Sequence, residues 1–115
     1  MKNDSKQAKG RYLQNLVKDR IVRLYPVLTK KDIRTSMRSE NGADVKLLTQ
    51  TPRKLFPYSI ETKNRQEFRQ IYNYFAQAKG HTNQTPMLVI KMNRERPLVI
   101  IDMEHFFELQ EEGIN

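Results

Sequence analysis

Apolar residues in this chain fall into seven short segments, and their spacing restricts the fold more than any other feature of the sequence. Three segments repeat their apolar residues at helical spacing, and four have the length of β-strands. In chain order they predict helix, strand, strand, helix, strand, strand, helix. That order is typical of an α/β fold in which helices flank a small sheet. The segments are 10–25, 44–48, 57–63, 65–79, 87–92, 98–101 and 104–111.

The connections carry cap and turn signals. Pro26 ends the first helix, because proline cannot continue a helix. Thr29 and Asp32 fit a capping pattern for one short turn, ahead of a polar loop over residues 34–42. A short helical turn is predicted over residues 51–55, where proline follows a threonine cap.

Two features indicate which residues form the core of the C-terminal half. Segments 87–92 and 98–101 are nearly continuous apolar runs, which predicts strands buried on both faces. Tyr72 and Phe75 share the apolar stripe of the second helix, so we expect both in the core. Tyr74 then remains as the aromatic residue available to stack on a base.

Length and composition predict one domain over residues 9–115, preceded by a disordered basic tail over residues 1–8. The chain has no cysteine, which excludes disulfides and thiolate zinc sites. No apolar run approaches the roughly 20 residues that span a bilayer. The first ten residues contain no apolar core of a signal peptide. We therefore expect an intracellular, reducing compartment.

The positive charge is concentrated at the N-terminal end. Residues 1–38 contain eleven Lys and Arg against three Asp, which equals the whole net charge of +8. Residues 39–115 contain ten residues of each sign. A basic third joined to a neutral remainder indicates a binding surface for a polyanion, most often nucleic acid. The alternative is a solvated basic surface with no partner.

Residues 41–64 combine Asp44 with Glu61 and Lys63. In a strand, side chains two residues apart share a face, so Glu61 and Lys63 are expected to point the same way. Mg²⁺ prefers hard oxygen ligands and retains several waters, so Asp44, Glu61 and the carbonyl of Thr62 are sufficient protein ligands. Lys63 is placed to hold an attacking water or to stabilise phosphate charge. By spacing alone, an ordinary solvated Glu and Lys pair explains the pattern better than a catalytic site does.

Motifs along nearly the whole chain, from about residue 9 to 110, resemble those of the PD-(D/E)xK nucleases. Within that family, they are most similar to a group of small phage and prophage endonucleases described as Holliday-junction-resolvase-like. The motifs are Lys9-Gly-Arg11, Leu13-Gln14, Arg34-Thr-Ser-Met37, Ser39-Glu-Asn-Gly-Ala-Asp44, Arg53-Lys-Leu-Phe-Pro-Tyr-Ser-Ile-Glu-Thr-Lys-Asn64, Ala76-Gln-Ala78 and Val89-Ile-Lys-Met-Asn-Arg94.

The resemblance implies roles for individual residues. Asp44 and Glu61 match the metal-binding carboxylates, and Lys63 matches the catalytic lysine. Gln14 stands where many members have an acidic residue on the first helix, with Glu40 as a possible substitute carboxylate. Gln77 matches a helix glutamine that faces the active site, and is counted with the catalytic residues. The chain departs from the family at Ala43, Thr62 and Arg38. The residues implied in DNA binding are Lys9, Arg11, Gln14, Arg34, Ser36, Arg38, Ser39, Asn64, Lys91 and Arg94.

The family implies a restriction-endonuclease-like mixed sheet and a Mg²⁺-dependent endonuclease, with Mn²⁺ able to substitute, that cuts branched DNA as a homodimer. It also implies a phage or prophage protein in the cytoplasm of a bacterial host. Two alternatives remain open at this point. One is a DNA-binding accessory protein with a decayed site, which the amide at Gln14 supports. The other is a nuclease for ordinary duplex DNA, since the same site chemistry serves several substrates.

Overall fold

The computed structural model describes the backbone of residues 2–114 and the side chains of residues 7–114. Over these residues the fold is mixed α/β, with four helices and two separate two-stranded antiparallel sheets. The chain divides into two compact units, Met1–Arg65 and Gln66–Asn115. The elements are α1 Lys2–Leu24, β1 Ile33–Thr35, β2 Val45–Leu47, α2 Gln50–Leu55, α3 Arg69–His81, β3 Leu88–Ile90, β4 Leu98–Ile100 and α4 Met103–Ile114.

The first unit packs α1 and α2 against the β1–β2 sheet. In that sheet Ile33 pairs with Leu47, and the inward side chains form the core. The Thr29 and Asp32 turn forms as predicted, because the Asp32 carboxylate accepts the Thr29 N–H at 2.9 Å. Thr49 donates to the same carboxylate at 2.7 Å, which lowers the pKa of Asp32 and fastens the turn to the end of β2. The buried apolar residues of this unit are Ile21, Leu28, Ile33, Val45 and Phe56.

Helix α1 starts earlier than the periodicity predicts. It begins at Lys2, upstream of Gly10, and takes in residues 2–8 of the segment predicted to be disordered, while Met1 lies outside the described residues. The added turns contain lysine, glutamine and alanine, which have good helix propensity without forming an apolar stripe. Apolar periodicity therefore located the packed part of the helix and not its first residue.

Strand β1 was not predicted, because it lies where a turn and a polar loop were expected. Ile33 is the one apolar residue in the strand, and Arg34 and Thr35 give no strand signal. Pairing with β2 supplies the backbone hydrogen bonds that sequence pattern alone does not reveal.

The strand predicted over residues 57–63 is wrong as a regular element. Only Ile60 pairs there, through an isolated antiparallel bridge to Val45. Pro57 has no N–H to donate to a ladder, and the Tyr58 N–H turns back to the Phe56 carbonyl at 2.8 Å. The Phe56 and Tyr58 rings meet edge to face with centroids 4.8 Å apart. The bridge nevertheless carries residues 61–63 past Asp44, whose N–H donates to the Ile60 carbonyl at 2.8 Å.

The second unit consists of α3, the β3–β4 hairpin and α4. Val89 faces Val99 in the hairpin register, and α3 packs against β3. The expectation that both strands are buried on both faces is wrong, since Val89 and Leu98 are 57% and 61% exposed. A sheet of only two strands has too few neighbours to cover both faces. Tyr72, expected in the core, is 70% exposed.

None of the helices over residues 2–114 combines the length and apolar character that crossing a bilayer requires. The helix predicted over residues 65–79 is present as α3, but it begins at Arg69 and continues to His81. The turn predicted over residues 51–55 is confirmed as α2, although its N-cap is Thr49 and not Thr51. The segment predicted over residues 104–111 is confirmed as part of α4, where Phe107 is buried. The single domain and the single nuclease-like sheet stay predictions.

Candidate functional site

Asp44 is held on both sides by neighbouring backbone. Its carbonyl accepts the Ser36 N–H at 2.8 Å, and its own N–H donates to Ile60 at 2.8 Å. Its carboxylate oxygen Oδ2 accepts the Thr62 N–H at 2.6 Å and the Thr62 hydroxyl at 3.2 Å. Asp44 thus joins the loop before β2 to the segment that contains Glu61 and Lys63.

Glu61 and Lys63 lie on the surface, one on each side of Thr62 in sequence. Lys63 Nζ lies 3.4 Å from Glu61 Oε1, so the two side chains reach the same side of the segment. They are 61% and 57% exposed respectively, which places both side chains in solvent. An exposed ion pair of this kind adds little stability, so both groups can change partners at low cost.

The oxygen atoms around Asp44 suit a hard divalent cation. Within residues 7–114, both hydrogen bonds to the Asp44 carboxylate fall on Oδ2 and leave Oδ1 for another ligand. The predicted ligand set would add the Glu61 carboxylate and the Thr62 carbonyl, which are oxygens of the kind that Mg²⁺ accepts. Among the described residues, no group of three or more His, Cys, Asp or Glu comes together. This donor set contains only two carboxylates, so it relies on the backbone and on water.

An open cleft of about 530 Å³ lies between α1 and the loop that precedes Asp44. It brings together five residues for which the family resemblance implies DNA binding, and it places Gln14 of α1 in the same cleft as Asp44. Arginine, serine and amide side chains are common phosphate contacts. The lining residues are Gln7, Gly10, Arg11, Gln14, Ser36, Met37, Arg38, Ser39, Glu40 and Asp44.

Arg38 reaches across the cleft to α1. With the Gln7 amide turned so that its oxygen faces the guanidinium, that oxygen accepts from Arg38 Nε at 3.2 Å and Nη2 at 2.8 Å. The neighbouring Ser39 adopts φ = 63°, a left-handed conformation that is uncommon outside glycine. Arg38 and Ser39 are both exposed at the rim of the cleft.

Glu40 is bound by cations and by backbone. Its two carboxylate oxygens accept from Arg34 Nη1 and Nη2 at 2.9 and 2.8 Å, and the Met37 N–H donates to it at 2.7 Å. Lys46 Nζ lies 3.9 Å away. The hydrogen bonds from Arg34, followed by the one from Met37, lower the pKa of Glu40 to about 2, and the same contact raises the pKa of Arg34.

Two other predicted DNA-binding residues form a structural contact. Asn64 Nδ2 donates to the Lys9 carbonyl of α1 at 2.9 Å, so the residue after Lys63 is fastened to the helix that lines the cleft. The Lys9 side chain is exposed. This hydrogen bond joins residues 55 positions apart, and no local sequence signal indicates it.

Gln77, Lys91 and Arg94 belong to the second unit. Gln77 is exposed on α3, and Lys91 follows β3 with its Nζ 3.3 Å from the Met92 carbonyl. Arg94 lies in the turn between β3 and β4 with φ = 68°. The residues that the structure gathers around Asp44 all belong to the first unit, and the roles of these three stay predictions.

Comparisons with protein-family models, with curated proteins and with solved structures gave no match to this chain.

Proposed function

We propose that this chain is a metal-dependent endonuclease that hydrolyses phosphodiester bonds in DNA, with branched DNA as its preferred substrate. The observation that carries the proposal is the double role of Asp44. Its carboxylate is hydrogen-bonded to Thr62, which lies between Glu61 and Lys63 in sequence, and Asp44 also lines the cleft that contains Arg11 and Arg38. Asp44, proposed to bind the cation, and the arginines proposed to bind phosphates thus line one cleft.

The residues that would hold the cation are Asp44, Glu61 and Thr62, the last through its carbonyl oxygen. Mg²⁺ suits this oxygen set, and Mn²⁺ should substitute. When bound, the cation polarises a phosphoryl oxygen and lowers the pKa of a bound water. Thr62 supports this role through its two hydrogen bonds to Asp44, which fix the carboxylate and leave Oδ1 for the cation.

The cationic and polar side chains then have separate tasks. Arg11 and Arg38 bind backbone phosphates on either side of the cleft, and Ser36 and Ser39 donate hydroxyl hydrogen bonds to them. Lys63 holds the attacking water or stabilises the charge that develops on the phosphate. A catalytic role for Gln77 and DNA binding by Lys91 and Arg94 are proposed from the family resemblance alone.

The family resemblance supports the finer parts of the proposal. These are a restriction-endonuclease-like mixed sheet in the order α-β-β-α-β-β-α, a homodimer that makes two symmetric cuts in a junction, and a phage or prophage origin with action in the cytoplasm of a bacterial host. Symmetric substrates favour dimers with two-fold symmetry.

A second candidate is a DNA-binding accessory protein with no catalysis. Two observations favour it: the α1 residue that matches the family's acidic position is the amide Gln14, and the nearby Glu40 carboxylate is bound to Arg34. A nuclease for ordinary duplex DNA is a third candidate, since the same residues serve that substrate equally well.

The deciding experiment compares four-way junction, flap, single-stranded and duplex DNA in Mg²⁺ and in Mn²⁺. We expect cleavage of the branched substrates, and we expect Glu61→Gln to abolish it with an unchanged melting temperature. Glu67→Gln is the matched control, because Glu67 is also exposed and lies outside the site. Wild-type protein that cuts none of the four substrates in either metal rules out the nuclease.

Calorimetry with Mn²⁺ separates the nuclease from the accessory protein. A working site binds Mn²⁺ in the wild type and loses that binding in Asp44→Asn. A decayed site gives no heat that depends on Asp44, although DNA binding persists in both proteins.

A further inference from the structure

The Glu40 side chain forms several hydrogen bonds, although it belongs to a surface loop. Its side chain is 28% exposed, and both carboxylate oxygens are paired with the Arg34 guanidinium. The parallel arrangement of two N–H donors on two oxygens is the most directional ion pair available to a carboxylate. The Met37 N–H adds a bond within the loop itself. A carboxylate held in this way is fixed in position and largely neutralised.

The strand register explains why an anion is needed there. Arg34 on β1 lies directly opposite Lys46 on β2. Like charges in directly opposed positions destabilise a strand pair. Glu40 reaches both cations, at 2.8 Å from Arg34 and 3.9 Å from Lys46. Lys46 also donates to the Asn41 carbonyl at 2.7 Å, so a second cation of the sheet grips the same loop.

The loop between β1 and β2 has a strained backbone, so it depends on the contacts with Glu40 and Lys46 to keep its conformation. Ser39 has φ = 63°, which costs free energy for a residue with a Cβ. Gly42 has φ = 96°, and a Cβ added there would lie 3.0 Å from Lys46 Nζ. In this conformation Arg38 and Ser39 line the cleft that also contains Asp44.

We propose that Glu40 is a positioning residue, which binds Arg34 and the Met37 N–H so that the loop presents Arg38 and Ser39 beside Asp44, and that it is not a ligand of the cation. The effect on cleavage rests on the proposed function. The effect on the loop does not, since it follows from the hydrogen bonds alone. Glu40 therefore acts on the cleft through Arg34.

A double-mutant cycle of Glu40→Gln and Arg34→Gln tests this pathway. We expect each single variant to change the ¹H–¹⁵N amide signals of residues 36–41 and to lower kcat by about tenfold or more, as loss of an orienting partner commonly does. The double variant should be no worse than either single variant, because both remove the same contact. Asp19→Asn is the control, since it removes one negative charge from exposed α1 surface.

Measurements of Mn²⁺ binding and DNA binding distinguish a positioning role of Glu40 from a role as a cation ligand. We expect Mn²⁺ binding to survive in Glu40→Gln, and metal-free DNA binding to stay equal or become tighter, because an anion is lost and Arg34 is released. A cation ligand at Glu40 predicts instead that Glu40→Gln abolishes Mn²⁺ binding while Arg34→Gln retains it. That result overturns the proposal, and so do unchanged loop amides in both single variants.

Arg34→Lys keeps the positive charge but cannot form the two parallel hydrogen bonds to Glu40. It is the variant to use if Glu40→Gln or Arg34→Gln does not fold. It should shift the same loop amides, and an unaltered spectrum counts against the proposal. Wild-type protein that cleaves no DNA defeats the proposed function, whereas the amide signals still decide whether Glu40 positions the loop.

Discussion

Asp44 and Thr62 are joined by two hydrogen bonds, from the Thr62 N–H at 2.6 Å and from its hydroxyl at 3.2 Å, although 18 residues separate them in sequence. The contact explains why an irregular segment can still serve a site. Ile60 alone pairs with β2, and the Asp44 carboxylate then continues the connection with the next residues. Residues 61–63 are thereby held next to Asp44 through Thr62, without a regular strand.

Thr62→Val tests the side-chain half of this contact. The backbone N–H bond remains, so we expect a loss of about 1 kcal/mol in the free energy of unfolding, as for a typical hydrogen bond. Urea denaturation measures it. Thr51→Val is the control, because Thr51 is exposed on α2, and it should change the stability by less than about 0.5 kcal/mol. Equal effects of the two substitutions contradict the importance of the hydroxyl bond.

Gln14→Glu should strengthen cation binding at the proposed site, since Gln14 lines the same cleft as Asp44. A third carboxylate adds a hard oxygen ligand and a negative charge, and we expect Mn²⁺ affinity to rise by about tenfold, the change that 1.4 kcal/mol produces. Calorimetry is the measurement. Asn15→Asp adds the same charge at the next, exposed residue of α1 and should leave the affinity nearly unchanged.

The charge distribution predicted a polyanion-binding surface in residues 1–38, and the resemblance implied DNA binding by Arg11, Gln14 and Arg38. The structure places these three residues in the lining of one cleft, and their role in phosphate binding stays a prediction. The pairing of Arg34 with Glu40 was not predicted, because it depends on the path of an irregular loop. Side chains six residues apart lie on different faces of a helix, and in a strand they are roughly 20 Å apart, so neither spacing predicts this pair.

The same limit applies to the fold. Apolar runs located β2, β3 and β4 to within two residues at either end, since buried apolar side chains carry the signal. They failed for β1, whose strand character arises from pairing and not from its polar residues. They also overestimated residues 57–63, where Pro57 and the turn at Tyr58 prevent a ladder that the alternation of side chains suggested.

Acid should weaken the first unit through Glu40. Its folded pKa of about 2 lies below the ordinary 4.5, so the unfolded chain binds the proton first as pH falls. The stabilisation is complete above pH 4.5 and disappears as the pH falls towards 2. Melting temperatures of wild type and Glu40→Gln over that range provide the measurement. We expect the melting temperature of Glu40→Gln to fall less with acid than that of the wild type. Some fall should remain in the variant, because Asp32 also has a lowered pKa. If the melting temperatures of both proteins fall equally with pH, Glu40 is not the cause of the acid sensitivity.

Val45 links the core to the site, because it is 1% exposed and also forms the bridge to Ile60. Val45→Ala removes two buried methyl groups and should cost about 2 kcal/mol in the free energy of unfolding. Val27→Ala makes the same change at a residue that is 68% exposed, and it should cost less than about 0.5 kcal/mol. Chemical denaturation compares the two. Similar losses in both variants contradict the packing described for β2.

Arg38→Gln should weaken the salt dependence of DNA affinity, which measures the electrostatic part of DNA binding. A protein that neutralises Z phosphates loses affinity with salt at a slope of about −0.9Z, so Arg38→Gln should reduce that slope by about 1. Arg38 lines the cleft, whereas Arg23 is exposed in the last turn of α1 and outside the cleft lining. Arg23→Gln is therefore the matched control.

Fluorescence anisotropy with labelled junction DNA, measured at several salt concentrations without divalent metal, gives both slopes. The metal-free condition removes cleavage and tests the cleft as a binding surface alone. If Arg23→Gln lowers the slope as much as Arg38→Gln does, the attraction comes from the net charge of the chain, because a specific phosphate contact requires a fixed position next to the DNA. If Arg38→Gln lowers the slope by about 1 more than Arg23→Gln does, Arg38 binds a phosphate, beside the carboxylate proposed to hold the cation.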